Sequence, residues 1–154
     1  KIIVMLRNPV DRAFSHYNMQ LKLGIEDRPF DEVCKIEKEI IENNNINYDS
    51  YHKNAHYSYL RRGMYDLQIK RWLKYFDLKQ FHFIKSENFF LSPEKELNLL
   101  YDFLNIKRIM PEDLNPKWVG KYNGLNKSVR KKLSDFYSEY NQNLETTINK
   151  QMKW

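Results

Sequence analysis

Arg7 and Ser15 stand eight residues apart in the stretch RNPVDRAFS, and their types suit the binding of a tetrahedral anion. A guanidinium grips a phosphate or sulfate through two parallel hydrogen bonds, and a hydroxyl adds a third. The same pair also fits a surface arginine and a small helix residue, and the residue types alone leave both readings open. What favours the first is the local structure that the neighbouring residues predict. Ile2 to Leu6 form an unbroken apolar run, the pattern of a strand covered on both faces of a sheet. Pro9 fits the first turn of a helix, and Arg12, Ala13, Phe14, His16 and Tyr17 continue at helical spacing. A strand, a tight turn and a helix start follow one another. In such a turn, backbone N–H groups and the positive end of the helix dipole favour an anion.

The rest of the chain predicts the elements that hold this turn. The opening helix ends near Gly24, and Phe30, Val33, Ile36, Ile40 and Ile41 mark a second helix. Residues 39 to 59, rich in Asn and Tyr, read as an excursion facing solvent or ligand. His52 and His56 could share a helix face as metal ligands, but no acidic ligand accompanies them, so no metal is expected. Gly63 interrupts the segment 59 to 76, after which Tyr65, Leu67, Ile69, Trp72, Leu73 and Phe76 give an amphipathic helix. Residues 81 to 90 read as a strand with Glu87 where it should end. Ser92 is the expected N-cap of a further helix, with Pro93 at its first position and Leu97, Leu100, Tyr101 and Leu104 on its apolar face. A loop follows from Ile106 to Gly124. The last helix starts near Asn126 and carries Val129, Leu133, Phe136, Tyr137, Tyr140, Leu144 and Ile148 on one stripe. Strand, helical crossover and strand imply a parallel sheet in an α/β domain.

Composition bounds the function. With 154 residues, 42% hydrophobic and 15% aromatic, the chain suits one folded domain with one core. No apolar run reaches the roughly 20 residues that cross a bilayer. Cys34 is the single cysteine, which excludes an internal disulfide and makes a reducing, cytoplasmic setting the default expectation. Of the net charge of +6, residues 107 to 154 contribute ten Lys or Arg against five Asp or Glu, a balance that suits a polyanionic partner. Lys127, Arg130, Lys131 and Lys132 fit a solvated helix face as well as a binding surface. The phosphate-loop, dinucleotide-binding and nucleophile-elbow motifs are all absent from the sequence. The residues by themselves lead to an anion-binding α/β domain.

The stretch RNPVDRAFSHY resembles the 3′-phosphate-binding segment of sulfotransferases that use 3′-phosphoadenosine 5′-phosphosulfate (PAPS). That family has an arginine at a strand end, a proline and D-R after it, and a serine eight positions on. The order of the later pieces is similar too: RRGMY with Trp72 in the next helix, FHFIKSENF, SPEKE, FLNI, and a closing KYN…VRKKL…FY…W. The resemblance is to heparan-sulfate-type and bacterial sulfotransferase domains and covers nearly all the chain. It implies a three-layer, P-loop-NTPase-like parallel sheet flanked by helices. It also implies that the family's first strand and phosphosulfate loop, which with the catalytic base belong to the earlier half of the fold, lie before Lys1.

Carried over by resemblance, Arg7 and Ser15 hold the 3′-phosphate of PAPS or of its product adenosine 3′,5′-bisphosphate, and Gly120 and Lys121 stand where the family has a phosphate-closing K-G-R-like loop. Arg61 and Arg62 precede the glycine of the G-x-Y piece and fit a role at an acidic substrate or the nucleotide, with solvated surface arginines the favoured reading. His16 is the nearest candidate base, although a histidine packed on a helix face is the favoured reading. The catalytic residue stays unassigned. The implied reaction is in-line sulfuryl transfer to an acceptor hydroxyl or amine, possibly on a carbohydrate. An anion- or glycan-binding module ranks second. A basic nucleic-acid-binding domain ranks last.

Overall fold

The computed structural model describes residues 1–43, 58–116, 120 and 123–154. Its strand β1 (Ile2–Leu6) pairs in parallel with β2 (Phe81–Lys85), Ile2 opposite Phe81 and Leu6 opposite Lys85. Among the described residues six α-helices stand around them: α1 (Pro9–Lys22), α2 (Phe30–Glu42), α3 (Tyr65–Trp72), α4 (Ser86–Leu91), α5 (Pro93–Leu104) and α6 (Lys127–Ile148). The α/β class and the parallel pairing are as the sequence predicts.

Helix α1 begins and ends where local chemistry dictates. Asn8 caps it, Pro9 sits in its first turn, and Gly24, at φ 68°, takes the left-handed position after it. There the Gly24 N–H donates to Leu21 O and the Ile25 N–H to Gln20 O, closing the last turn as a Schellman motif.

Two apolar clusters meet along α6, which at 22 residues is about 33 Å long. One joins Val10, Ala13 and Tyr17 of α1 to Phe30, Val33 and Cys34 of α2, to Tyr59 and Leu60, and to Leu133 and Tyr137 of α6. The other seats Leu6, Phe81 and Phe83 of the sheet on Tyr65 and Ile69 of α3 and on Leu144 and Ile148 of α6. Residues Ser58, Tyr59 and Leu60, at the end of the Asn- and Tyr-rich tract, are thus core, whereas 44–57 lie outside the described residues.

Four expectations are corrected. The apolar run of β1 is covered on one face only: Leu6 is 4% exposed, but Ile3 and Met5, which alternate with it, are 47% and 52% exposed. Helices α4 and α5 pack on β2, where Ile84 is buried, and no described residue closes over Ile3 and Met5. The strand expected over 81 to 90 stops at Lys85, because Ser86 opens α4 with Glu87 in its first turn. Ser92 precedes α5 without a side-chain capping bond, and Pro93, Glu94 and Glu96 mark that helix start in its place. Leu67 and Trp72 of α3 face outward at about half exposure, and its inward stripe is Tyr65, Asp66 and Ile69. No described helix is long and apolar enough to cross a membrane.

Candidate functional site

The turn from β1 into α1 is tied from several sides. The Tyr65 hydroxyl donates to the Arg7 carbonyl at 3.1 Å, and the Asn8 N–H donates to Glu87 Oε1 at 2.6 Å. Asn8 Oδ1 in turn accepts the N–H groups of Val10 at 2.9 Å and Asp11 at 3.3 Å. These bonds correct one part of the sequence reading. The backbone donors of this helix start are satisfied from within the protein, so an anion here must be met by side chains.

Two side chains are the candidates for that. Arg7 closes β1 at the C-terminal edge of the parallel pair, half-buried, and its guanidinium makes no hydrogen bond or ion pair with the described residues. In open α/β sheets that edge is where ligands bind. Ser15 is half-buried on α1, one turn beyond Asp11 on the stripe turned away from the core. No bond links Arg7 with Ser15. A second arginine, Arg130 of α6, donates to Asp11 Oδ1 at 2.5 Å, one turn before Ser15. The basic face at the start of α6 is therefore partly committed: Arg130 to Asp11, and Lys131 to Asp135 at 3.0 Å.

Other sequence candidates are placed differently. His16 is buried against Tyr59, its Nε2 lying 3.2 Å from Gln20 Nε2, which makes it a packed histidine on the inner face of α1. Arg61 is half-buried and Arg62 exposed. Gly120 is exposed, whereas Lys121, like His52 and His56, lies outside the described residues. Among the described residues, no cluster of three metal-ligating side chains is present.

Three charged residues that the sequence reading did not single out hold the scaffold under the site. Arg12 is half-buried and donates to the Tyr59 carbonyl, and desolvation lowers its guanidinium pKa. Glu37 accepts the N–H of Leu60 at 2.7 Å on one oxygen and that of Arg61 at 2.9 Å on the other, while burial still pushes its carboxyl up. Glu26 is also buried. Its burial would raise the pKa, but hydrogen bonds from Arg28 and from the Tyr59 hydroxyl outweigh that and hold it below the usual range. The one legible signal was Arg12 within the D-R pair; Glu26 and Glu37 stand in ordinary charged runs.

At the C-terminal tail, Glu145 Oε1 accepts the N–H groups of Met152 at 2.7 Å and Lys153 at 2.9 Å. This bends the tail so that the Trp154 ring lies 5.8 Å from that of Tyr65, the same tyrosine that holds Arg7. Between the tail, the polar stripe of α6 and the α1 start lies a cleft of about 310 Å³, lined in part by Asn8, Ser134, Ser138, Asn141 and Trp154.

A parallel pair of strands with an uncommitted arginine at its C-terminal edge, followed by a capped helix bearing a serine, is the arrangement that this α/β domain presents. The family model described as the sulfotransferase domain matches residues 1–153, and the chain belongs to that family. A sulfotransferase from Alicyclobacillus acidocaldarius, solved by crystallography, superposes with a TM-score of 0.79 at 28% identity, covering 99% of this chain and 56% of that one. Its likeness places the chain in the P-loop-like fold class. Among curated relatives, the membrane-associated sulfotransferase kil1 of Dictyostelium discoideum is 30% identical over 67% of this chain and 22% of its own length. Heparan sulfate glucosamine 3-O-sulfotransferase 5 of Mus musculus is 34% identical over 69% of this chain and 29% of its own. The aligned regions thus take up less than a third of either relative and just over half of the solved enzyme.

Proposed function

We propose that this chain carries the 3′-phosphate-binding part of a PAPS-dependent sulfotransferase whose acceptor is a carbohydrate hydroxyl or amine. The observation that carries the reading is the tethered turn at Arg7: backbone bonds fix the turn while the guanidinium stays uncommitted among the described residues. Such a site is preorganised, so little ordering entropy is lost when an anion binds. Arg7 would take two phosphate oxygens and Ser15 a third, with Gly120 and Lys121 on the loop that the family resemblance assigns to closing over the phosphate. PAPS, when bound, supplies the activated sulfuryl group. This chain's part is to orient the nucleotide by its 3′-phosphate, so that the group to be transferred sits at a fixed distance from the edge of the sheet. No described residue is placed as the catalytic base, since His16 is packed and bonded inside the fold. A carbohydrate acceptor is supported by the heparan sulfate glucosamine 3-O-sulfotransferases among the relatives.

Calorimetric titration with adenosine 3′,5′-bisphosphate at two salt concentrations tests the reading. Saturable one-to-one binding is expected, weakened at least tenfold by Arg7→Ala and less by Ser15→Ala, in line with the roughly 1.5–3 kcal/mol typical of a hydrogen bond to a charged group. Absence of saturation by a chain shown to be folded, or equal affinity in Arg7→Ala, would sink it. Salt-dependent binding to any polyanion without nucleotide saturation would favour the nucleic-acid reading instead.

A further inference from the structure

We infer that Glu87 is a positioning residue for Arg7. This inference rests on the proposed role of Arg7 in holding the 3′-phosphate. Glu87 stands two residues past the end of β2 and reaches across to the neighbouring strand, where its Oε1 accepts the Asn8 N–H at 2.6 Å. The bond is short and charge-assisted, the stronger class of hydrogen bond. It spans 79 residues of sequence and joins the ends of the two paired strands at the residue next to Arg7. On the other side of the same peptide group, the Arg7 carbonyl is held by the Tyr65 hydroxyl. Both polar atoms of the Arg7–Asn8 peptide are therefore bonded to side chains from other elements, and the plane of that peptide fixes the direction in which the Arg7 side chain leaves the sheet.

The partner oxygen, Glu87 Oε2, is buried and has no hydrogen-bond partner among the described residues. A carboxylate left half-satisfied is costly. A residue kept only for stability would be better served by a smaller acceptor. The arrangement makes sense when an acceptor oxygen at the turn has a use: it occupies the Asn8 N–H, so an incoming anion is directed onto the guanidinium and not onto the turn's backbone.

The test uses the whole 154-residue chain with Glu87→Ala and Glu87→Gln. Two ligands are titrated, adenosine 3′,5′-bisphosphate and adenosine 5′-monophosphate, and hydrogen exchange of the Asn8 amide is followed by NMR without ligand. Glu87→Gln keeps an oxygen that can accept the Asn8 N–H, so it should keep bisphosphate affinity within about threefold and keep the amide protected. Glu87→Ala should expose the amide to exchange at least tenfold faster, weaken the bisphosphate at least tenfold, and change 5′-monophosphate affinity less than threefold. Equal weakening of both nucleotides would mark general loss of structure and overturn the inference, as would an Asn8 amide as protected in Glu87→Ala as in the parent. Should Glu87→Ala not fold, a Glu87→Gln variant that loses the bisphosphate selectively would also overturn it. If the parent chain does not saturate with bisphosphate, the 3′-phosphate reading of Arg7 fails and this inference with it, whereas an affinity lost only in Glu87→Ala separates the two.

Discussion

The two parallel strands leave the sheet side by side, Leu6 opposite Lys85, and each turns at once into a helix, yet the two junctions are built differently. After β1, Asn8 caps α1 through its side chain, Pro9 sets the first helical φ, and both polar atoms of the Arg7–Asn8 peptide are held from outside. After β2, Lys85 precedes α4 with no side-chain cap, and the buried Ser86 hydroxyl has no partner. Only Glu87 of the second junction makes a bond that matters to the first. On the proposed reading the first junction meets the ligand and the second braces it through Glu87. A helix start is not in itself an anion site; it becomes one, or is used up, according to who takes its N–H groups.

The largest way to break the contrast is at Gly63, where α1 is braced from below. A Cβ added there would lie 2.9 Å from Pro9 Cβ and 2.8 Å from the Tyr137 hydroxyl. Neither neighbour can yield freely: Pro9 is locked in the first turn of α1, and Tyr137 is buried with its hydroxyl donating to the Leu60 carbonyl at 2.8 Å. Gly63→Ala is expected to cost about 2–3 kcal/mol by overpacking, read as a lower midpoint in denaturant unfolding. It should also weaken adenosine 3′,5′-bisphosphate, because the strain falls on the helix start. An unchanged midpoint would mean that the junction is not braced there.

A smaller effect is expected from Asn8→Ala, which removes the acceptor for the Val10 and Asp11 N–H groups while leaving the Asn8 N–H bond to Glu87 in place. Loss of an N-cap costs about 1 kcal/mol. The freed N–H groups belong to the helix start and not to Arg7, so bisphosphate affinity should fall by less than the stability loss suggests. A drop as large as that of Arg7→Ala would show that the cap itself touches the ligand.

The parts of this architecture that were legible in the sequence are those written in local chemistry. Pro9 and Gly24 bracket α1 because a fixed φ and a left-handed φ depend on the residue itself, and the parallel pairing followed from strand, crossover and strand, whereas the Asn8 cap was not read. Arg7 and Ser15 were visible for the same reason, as an arginine at a strand end and a serine at a fixed helical offset. What was hidden depends on long-range contact. Glu87 looks like a strand-end carboxylate until β2 is laid beside β1, and Glu37 looks like one acid in a charged run until the Leu60–Arg61 turn folds onto it. The expected free N–H groups failed for that reason: their partners include a residue 79 positions away. Trp72, read as core from helical spacing, is 50% exposed because α3 offers its other stripe to α6.

The smallest effect is the sharpest check on the difference between the junctions. Ser86 is the first residue of α4, one position past its N-cap Lys85, a small polar residue where strand gives way to helix, and it is buried. Its hydroxyl makes no hydrogen bond, so removing it deletes an unsatisfied polar group and no interaction. Ser86→Ala should therefore leave stability within about 0.5 kcal/mol of the parent or raise it slightly, the usual range for a substitution that breaks nothing. Nucleotide affinity should not move, since the Asn8 N–H is held by Glu87 and not by Ser86. A loss near that of Asn8→Ala would show that the second junction is capped after all, and that the asymmetry on which Arg7 depends lies elsewhere than in the starts of the two helices.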